Sequence, residues 1–460
     1  MSSSFLGQIQ DNCPHCLRFA KNGDDLKIYT HDRTSGPTHS PEFVLFPEST
    51  SDVVTIIQAA QRYNQPLTVS GGRTGLAGAA TSESGEVIVS FEKMNRFLEY
   101  KPETPAIRME AGRTTQFVQN DAAGFGHYFP VDFASKSASQ IGGNLATHAG
   151  GIHVFRYGSI REYVLGLTAV DGTGNILTFS DLQKDNTGYH LKELLIGSEG
   201  TLALITEVTL RLISPPPETQ VALLGFHDLQ SIIDMRTTLH HHELFAFEFF
   251  DANCLDIVCS HYQMSRPFDT SSYYIALIEY RKDDVAIEAK LAKLPAIDIR
   301  ISVDPKQYRQ FWQYREGISE AISLSARAHK IDVSLPVSQL PAFVDHLKTN
   351  IINRLTGQPA LYLFGHIGDG NLHINLTLPK DSDAAGFYEL SSKFDQLCYT
   401  KIVATGGSIS AEHGIGRLKK QFLPLNRTSR QIQLMRSIKQ AFDPANILNR
   451  GRIFDTTDTG

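Results

Sequence analysis

Two histidines flank a glycine-rich turn in residues 365–373, whose sequence is Gly-His-Ile-Gly-Asp-Gly-Asn-Leu-His. The Asp369-Gly370 pair is typical of a hairpin turn between two apolar strands. Such a hairpin would bring His366 back beside His373, close enough for both imidazoles to bind one metal ion. For an isolated pair, two hydrogen-bonded polar histidines near a turn are the simpler interpretation, so further ligands are needed to favour a metal.

A carboxylate and an imidazole are adjacent in a second glycine-rich segment, residues 410–416. With His366 and His373, Glu412 would complete a site of two imidazoles and one carboxylate that leaves positions open for a substrate. This donor set suits zinc, and iron or manganese are alternatives. His413 would then serve as a general base, because its ordinary pKa of about 6.5 lies near the working pH.

A pair of cationic side chains follows the single tryptophan of the chain. Arg315 and Ser319 are four residues apart in a predicted helix and would share one face of it. Lys330 comes shortly before the segment Asp-Val-Ser-Leu-Pro. Arginine can hold a carboxylate through two parallel hydrogen bonds, and lysine adds a point charge. From the residues alone, however, we prefer the alternative that Arg315 pairs with a nearby acid and that Lys330 is solvated.

Three segments of the first half concentrate glycine next to predicted regular elements: residues 71–76, 140–147 and 196–202. Successive N–H groups in such loops can bind an anion, because glycine adopts positive φ and carries no Cβ. Together the three loops predict a large phosphate-bearing ligand. None fits the dinucleotide fingerprint, and the P-loop spacing at 365–370 is followed by Asn371 where a lysine is required.

In their order and sequence these loops resemble the FAD-binding domain of the vanillyl-alcohol oxidase superfamily, and within it the D-2-hydroxy-acid dehydrogenases that include D-2-hydroxyglutarate and D-lactate dehydrogenases. The resemblance covers nearly the whole chain. It implies noncovalent FAD, because the first loop has neither the His nor the Cys that tethers the flavin in some relatives. It also implies cofactor contacts at fourteen residues in or just after these loops: Gly71, Gly72, Arg73, Thr74, Gly75, Leu76, Gly142, Gly143, Asn144, Thr147, Gly197, Glu199, Gly200 and Ile205.

The resemblance assigns the later residues as well. It implies that His366, His373 and Glu412 are the metal ligands and that His413 is the base, which also contacts the substrate. It implies that the remaining substrate contacts come from a carboxylate clamp and one amide: Arg315, Ser319, Lys330 and Asn375. Since many relatives have proline where Arg450 stands, no flavin contact is carried over to Asn449.

The reaction that these assignments imply is FAD- and metal-dependent oxidation of a D-2-hydroxy acid to a 2-oxo acid, with hydride transfer to flavin N5. Two cations and a hydroxyl favour a second carboxylate on the substrate, so D-2-hydroxyglutarate is preferred, and D-lactate, D-malate and glycolate are alternatives. The electron acceptor is open between an electron-transferring flavoprotein, a quinone and a cytochrome. A zinc hydrolase and a noncatalytic flavin subunit are the rival classes.

The elements that must position these residues predict an α+β fold. A strand at 42–46, a helix with Ser51 as its N-cap and a strand at 65–69 would lead directly into the first glycine loop. Three consecutive prolines at 215–217 predict a domain boundary. We expect three parts: a PCMH-type FAD-binding domain of two α+β subdomains (1–213), a substrate domain with an antiparallel sheet (214–405), and a C-terminal segment with helical structure (406–460) that returns to the FAD domain.

The composition sets the protein class. The 460 residues are 41% hydrophobic and 20% charged, which is typical of a globular chain. A net charge of −6 without a basic cluster argues against a nucleic-acid partner. We find no apolar run of membrane-spanning length and no secretory signal, so we expect a soluble cytoplasmic protein. Peripheral membrane association and a homodimer are left open.

The five cysteines do not form a disulfide framework, and their odd number suits a reducing compartment. Cys13 and Cys16 in the segment Cys-Pro-His-Cys have the spacing of half a zinc site. We prefer free thiols, because a closed zinc site needs four ligands and no second cysteine pair lies nearby.

Overall fold

The computed structural model describes residues 4–22, 24–34, 39–239, 243–268 and 271–455. The chain divides into two compact units. Unit 1 consists of Met1–Gly151, Ser159–Pro215 and Glu412–Gly460, and unit 2 of Ile152–Gly158 and Pro216–Ala411.

The borders of these units differ from the predicted domains by two residues at Pro215 and by more in two other places. The chain stays with unit 2 as far as Ala411 rather than 405, because Ser334 and Ser408 exchange backbone hydrogen bonds of 3.1 and 2.8 Å. Residues 152–158 also belong to unit 2, where Arg156 and Tyr157 pack on Phe245. No local sequence pattern predicted that residues 152–158 belong to unit 2, because these contacts join residues about ninety positions apart.

Unit 1 contains a mixed sheet in the order β1-β2-β4-β3, in which β2 and β3 run parallel to β4 and β1 is antiparallel to β2. Its strands are β1 (Leu17–Phe19), β2 (Phe43–Leu45), β3 (Leu67–Ser70) and β4 (Val87–Ser90). Helix α1 (Phe5–Asn12) precedes β1 along the chain, and helix α2 (Thr50–Tyr63) follows β2. The β2-α2-β3 succession confirms the predicted β-α-β unit, and β3 ends where the first glycine loop begins.

Helix α2 begins earlier than the sequence predicted. Ser49 is the N-cap rather than Ser51, since Ser49 has extended backbone angles and its Oγ accepts from the Asp52 N–H at 3.2 Å. Ser51 is already inside the helix. The predicted apolar face is correct, because Val53, Ile56 and their neighbours on that face are buried.

A second, antiparallel sheet of unit 1 has the order β5-β6-β9-β7-β8. Its strands are β5 (Phe97–Lys101), β6 (Ala106–Glu110), β7 (Val164–Asp171), β8 (Ile176–Phe179) and β9 (Ala203–Arg211). The β7–β8 hairpin confirms the turn predicted at 171–174. The other helices of unit 1, numbered in chain order, are α3 (Thr115–Gly124), α4 (Ile141–Ala146), α6 (Lys192–Leu195), α14 (Leu423–Asn426) and α15 (Ser429–Phe442).

Unit 2 is built on a sheet in the order β13-β10-β12-β11-β15-β16-β14, whose neighbouring strands are all antiparallel, as predicted. The strands are β10 (Thr219–Phe226), β11 (Leu244–Asp251), β12 (Tyr274–Arg281), β13 (Asp298–Ile301), β14 (Ala326–Ser334), β15 (Ala360–Gly365) and β16 (Asn371–Pro379). The helices are α5 (Val154–Tyr157), α7 (Leu229–Thr238), α8 (Ala252–Tyr262), α9 (Val285–Leu291), α10 (Pro305–Glu316), α11 (Ile318–Ser325), α12 (Leu340–His346) and α13 (Ala384–Ala404).

The β15–β16 hairpin sets the register of the predicted site residues. His373 pairs with Phe364 on β15 and with Asp332 on β14, and Asn375 pairs with Lys330 on β14. Directly paired residues point to the same face of a sheet, so the predicted site residues of β14 and β16 share one face. Helices α10 and α11 pack on this face, in an apolar cluster that includes Phe364.

The N-terminal cysteines differ from the prediction. Cys13 and Cys16 are joined as a disulfide, not present as two free thiols. Both are fully buried, at the end of α1 and in the short 3₁₀ turn Pro14–Cys16.

No helix in the described part of the chain combines the length and the apolarity that crossing a bilayer requires.

Candidate active site

The three glycine loops meet in unit 1 and enclose a groove with about 670 Å³ of free space, part of it open to solvent. Except for Leu76 and Gly197, every predicted cofactor residue lines this groove or the smaller recess beside it. Residues that we had not assigned to the cofactor also line it: Asp32, Val69, Gln140, Ala146, His413 and Asn449.

The glycines of this groove have two different roles. A Cβ at Gly72 would lie 2.1 Å from the carbonyl oxygen of Ala138, and one at Gly142 would lie 2.6 Å from the Ala111 Cβ. These two glycines therefore allow the loops to pack against their neighbours. A Cβ at Gly143 would meet no described atom within 4 Å, so this glycine keeps the groove itself open.

Hydrogen bonds hold the second loop and leave one acceptor facing the groove. Asn144 Nδ2 donates to Thr115 Oγ1 at 2.6 Å, and Thr147 Oγ1 donates to the Gly143 carbonyl at 3.0 Å. Gln140 Oε1, by contrast, is buried and has no hydrogen-bond partner within the described residues. A buried acceptor of this kind fits a ligand that brings its own donors.

Asn449 fastens two of the loops together. Its Nδ2 donates to the Glu199 carbonyl at 2.6 Å, and its Oδ1 accepts from the Val69 N–H at 2.8 Å. Strand β3, which leads into the first loop, is thereby tied to the third loop. The sequence analysis carried no flavin contact over to Asn449 because of Arg450, and it did not predict these hydrogen bonds, which join residues 250 and 380 positions apart.

The carboxylate of Glu199 positions the loop that carries His413. It accepts from the N–H groups of Ile415 and Gly416, both at 2.7 Å. Burial raises the pKa of Glu199, and the two N–H donors act against this shift. His413, which this loop carries, lines the groove. The preceding residue, Glu412, accepts through Oε1 from the Gly151 N–H at 3.1 Å.

The two hairpin histidines are neighbours in unit 2, with ring centroids 5.4 Å apart. His366 Nδ1 lies 2.7 Å from Glu248 Oε1, and the other oxygen of Glu248 lies 2.8 Å from Arg315 Nη2. Burial alone would raise the pKa of Glu248, but the adjacent imidazole and guanidinium outweigh it and lower that pKa. Sequence reasoning missed Glu248, although a single acid in the apolar segment Leu-Phe-Ala-Phe-Glu-Phe-Phe was a usable signal.

A second buried acid, Asp332, lies beside the other histidine. Asp332 Oδ1 is 3.4 Å from His373 Nδ1 and accepts from Asn371 Nδ2 at 2.7 Å. Its Oδ2 accepts from the Ala411 N–H at 3.1 Å. Each histidine thus has a carboxylate at one ring nitrogen, the arrangement that orients imidazoles toward a metal ion.

The predicted carboxylate clamp is only partly assembled. Lys330 Nζ donates to Ser323 Oγ at 2.7 Å and to the Ser319 carbonyl at 3.4 Å, so the structure brings Lys330 and Ser319 together. Arg315 is buried, pairs with Glu248 and lies over the Phe364 ring, 4.9 Å from its centroid. The acid that we considered as the alternative partner of Arg315 therefore exists.

Two buried donors remain on the same face of the sheet. Asn375 Nδ2 and Arg315 Nε have no acceptor within the described residues. An unsatisfied buried donor is costly, so a ligand with carboxylate oxygens fits this place.

The chain matches two family models. Residues 41–180 match a model described as an FAD binding domain, and residues 215–453 match the C-terminal domain of FAD linked oxidases.

Curated relatives match over most of their length. A D-2-hydroxyglutarate dehydrogenase of Xanthomonas citri is 37% identical, with 100% of this chain and 98% of that protein covered. The mitochondrial enzyme of the same name from Bos taurus is 34% identical, with coverages of 91% and 77%.

Solved structures share the fold. The 4-ethylphenol oxidase from Gulosibacter chungangensis matches with a TM-score of 0.75 at 16% identity, covering 98% of this chain and 97% of that one. An alkyldihydroxyacetonephosphate synthase matches with a TM-score of 0.73 at 17% identity, covering 97% and 84%.

The chain belongs to the family of FAD-linked oxidases. It is an FAD-dependent oxidoreductase with the fold of the vanillyl-alcohol oxidase type, as the resemblance of its loops predicted. The groove in unit 1 fits the cofactor, because Gly143 leaves a cradle that a side chain would fill and Gln140 offers an acceptor inside it.

Replacing Gly143 with leucine should give a folded protein without flavin, because the new side chain would enter the groove without striking the protein. Gly124→Leu is the matched control, since a Cβ at this helical glycine also meets no described atom within 4 Å and lies away from the groove. Circular dichroism would report folding, and visible absorbance would report bound flavin. A yellow Gly143→Leu protein with a full flavin load would contradict this assignment of the groove.

Proposed function

We propose that this protein oxidises D-2-hydroxyglutarate to 2-oxoglutarate, using noncovalent FAD and a divalent metal ion. The observation that carries the proposal is that His413 lines the same groove as the three glycine loops. A proton acceptor at the wall of the flavin cradle is what oxidation of an alcohol requires. The relatives named D-2-hydroxyglutarate dehydrogenase, 34–37% identical, support the choice of substrate.

Residues of unit 1 supply both the proposed cofactor site and the proposed base. The glycine loops would hold FAD, which would supply the acceptor for the hydride from C2 of the substrate. His413 removes the proton from the 2-hydroxyl oxygen, so the alcohol carbon becomes a carbonyl carbon as the hydride leaves. Glu199 keeps this imidazole in place through the two N–H groups that follow it in the loop.

We assign His366, His373 and Glu412 as the metal ligands, with zinc as the preferred ion and manganese or iron as alternatives. The bound cation would lower the pKa of the substrate hydroxyl. Glu248 and Asp332 support the assignment, because each orients one of the two imidazoles. Chain connectivity supports the assignment of Glu412 as well. The N–H of Ala411 donates to Asp332, and Glu412 is the next residue, with its Cα about 3.8 Å from that of Ala411.

We assign substrate selection to Arg315, Ser319, Lys330 and Asn375. Lys330 and Asn375 are direct register partners, and Arg315 lies over the ring of Phe364, the partner of His373. These positions put two cations and an amide donor on one sheet face, where a second carboxylate of the substrate can be held. D-Malate and D-lactate are the alternatives, and a short monocarboxylate would bring no second carboxylate to Lys330 and Arg315.

The electrons must then leave for an external acceptor. An electron-transferring flavoprotein, a quinone and a cytochrome are the candidate classes, and steady-state assays with each would separate them.

His413→Ala should retain flavin and lose turnover, since only the proton acceptor is removed. The expected loss in the rate of anaerobic flavin reduction by D-2-hydroxyglutarate is about 10²- to 10⁴-fold. His190→Ala, which removes an exposed imidazole of unit 1, should reduce flavin at the original rate. Near-normal flavin reduction in His413→Ala would reject the assignment of the base.

His373→Ala should lose both the metal ion and turnover while the flavin stays bound, because the altered ligand lies in unit 2. Metal content by mass spectrometry and the flavin spectrum measure the two losses separately. The control is His329→Ala on β14, which removes an imidazole that pairs with Asp395 instead. Unchanged metal content and turnover in His373→Ala would refute the ligand set.

Lys330→Met should change the selectivity for substrates more than the rate of the chemical step. Losing a hydrogen bond to a charged group costs about 1.5–3 kcal/mol, so the KM for D-2-hydroxyglutarate should rise about 10- to 100-fold. Turnover of D-lactate, which has no second carboxylate, should change little. Lys380→Met, at an exposed lysine after β16, is the control. An equal loss for both substrates would argue against a role in selection.

A further inference from the structure

A separate cluster of metal-binding side chains lies in unit 1, at the N-terminal segment. One ligand atom from each of Cys13, His15, Cys16 and Asp52 lies within 4.8 Å of all the others. The set combines two sulfurs, one imidazole nitrogen and one carboxylate oxygen. Soft thiolates together with imidazole are the donors that select zinc.

We propose that Cys13 and Cys16, when reduced, bind one zinc ion together with His15 and Asp52. Two equivalents of a thiol reductant convert the disulfide into two cysteine thiols and are themselves oxidised to a disulfide. Zinc then replaces the two thiol protons, which are released to solvent. The oxidised pair seen in the structure and the zinc-bound pair are therefore alternative states of one site.

The distances among Cys13, His15 and Asp52 are close to those between the ligands of a tetrahedral zinc site. Zinc bonds of about 2.0–2.3 Å place neighbouring ligand atoms about 3.3–3.8 Å apart. Cys13 Sγ lies 3.8 Å from His15 Nε2 and 3.6 Å from Asp52 Oδ1, and His15 Nε2 lies 3.1 Å from the same oxygen. Little rearrangement is needed beyond separation of the two sulfurs.

The local backbone already presents the four ligands. The 3₁₀ turn Pro14–Cys16 and its N-cap Cys13 supply three of them, and Asp52 comes from the first turn of α2. The second oxygen of Asp52 accepts from the Glu48 N–H at 3.0 Å, which orients the first oxygen toward the cluster. Both cysteines are fully buried, whereas the His15 side chain is 51% exposed, so an ion can enter from the side of His15.

This site would be structural. A bound ion would join the end of α1 to the start of α2, because Cys13 is the C-cap of α1 and Asp52, 39 residues later, lies in the first turn of α2. It is independent of the proposed function, which draws on other residues.

Cobalt(II) provides the test, because cobalt bound by thiolates absorbs in the near ultraviolet and cobalt bound by imidazole and carboxylate alone does not. The holoenzyme, reduced with a phosphine, should show a thiolate-to-cobalt band that saturates at one ion per chain. Replacing Cys13 and Cys16 together with serine should abolish this band, and Cys259→Ser, at a cysteine outside the cluster, should keep it. His15→Ala and Asp52→Asn should weaken cobalt binding by about tenfold or more.

Turnover distinguishes this site from the proposed catalytic metal. Cys16→Ser should keep full activity with D-2-hydroxyglutarate, whereas His373→Ala should keep the thiolate band. His15→Ala keeps the proposal testable if the cysteine variants misfold, because it removes only a half-exposed side chain. Absence of a thiolate band in the reduced, folded protein would overturn the proposal, as would a band that survives replacement of both Cys13 and Cys16.

Discussion

A buried carboxylate, that of Glu199, determines where the proposed base lies. It accepts two backbone N–H groups from the loop that carries His413, while its own backbone belongs to the third glycine loop. Burial raises the pKa of this acid, and its two hydrogen bonds offset part of the cost of the charge. The cofactor groove and the proposed proton acceptor are therefore parts of one hydrogen-bonded arrangement, and Asn449 ties it to β3.

Unit 2 uses buried acids in the same way. Glu248 is shared by His366 and Arg315, and Asp332 is shared by His373, Asn371 and the backbone of Ala411. Neither acid needs to touch a substrate in order to matter, because each fixes the direction of a side chain that we propose as a metal ligand. Removing such a partner from a buried ion pair is costly, about 3–5 kcal/mol, so the arrangement is strongly specified.

Most of what the sequence predicted correctly came from local patterns. Glycine clusters and a hairpin turn indicated the groove and the position of His366 beside His373, because these features depend on neighbours in the sequence. What escaped prediction depends on distant contacts: Glu248 is 118 residues from His366, and Asn449 is 250 from Glu199. The N-cap of α2 was misplaced for another reason, since Ser49 and Ser51 are equally competent caps and backbone geometry chose between them. The Cys13–Cys16 pair was missed because spacing alone does not determine its redox state.

The central claim is that a D-2-hydroxy acid with a second carboxylate reduces the flavin beside His413. The most direct measurement is anaerobic flavin absorbance of the purified holoenzyme against a panel of D- and L-2-hydroxy acids. The account predicts fast bleaching by D-2-hydroxyglutarate, slower bleaching by D-lactate and none by L-2-hydroxyglutarate. A flavin that stays oxidised with every member of the panel, or that responds to the L-acid equally well, would contradict it.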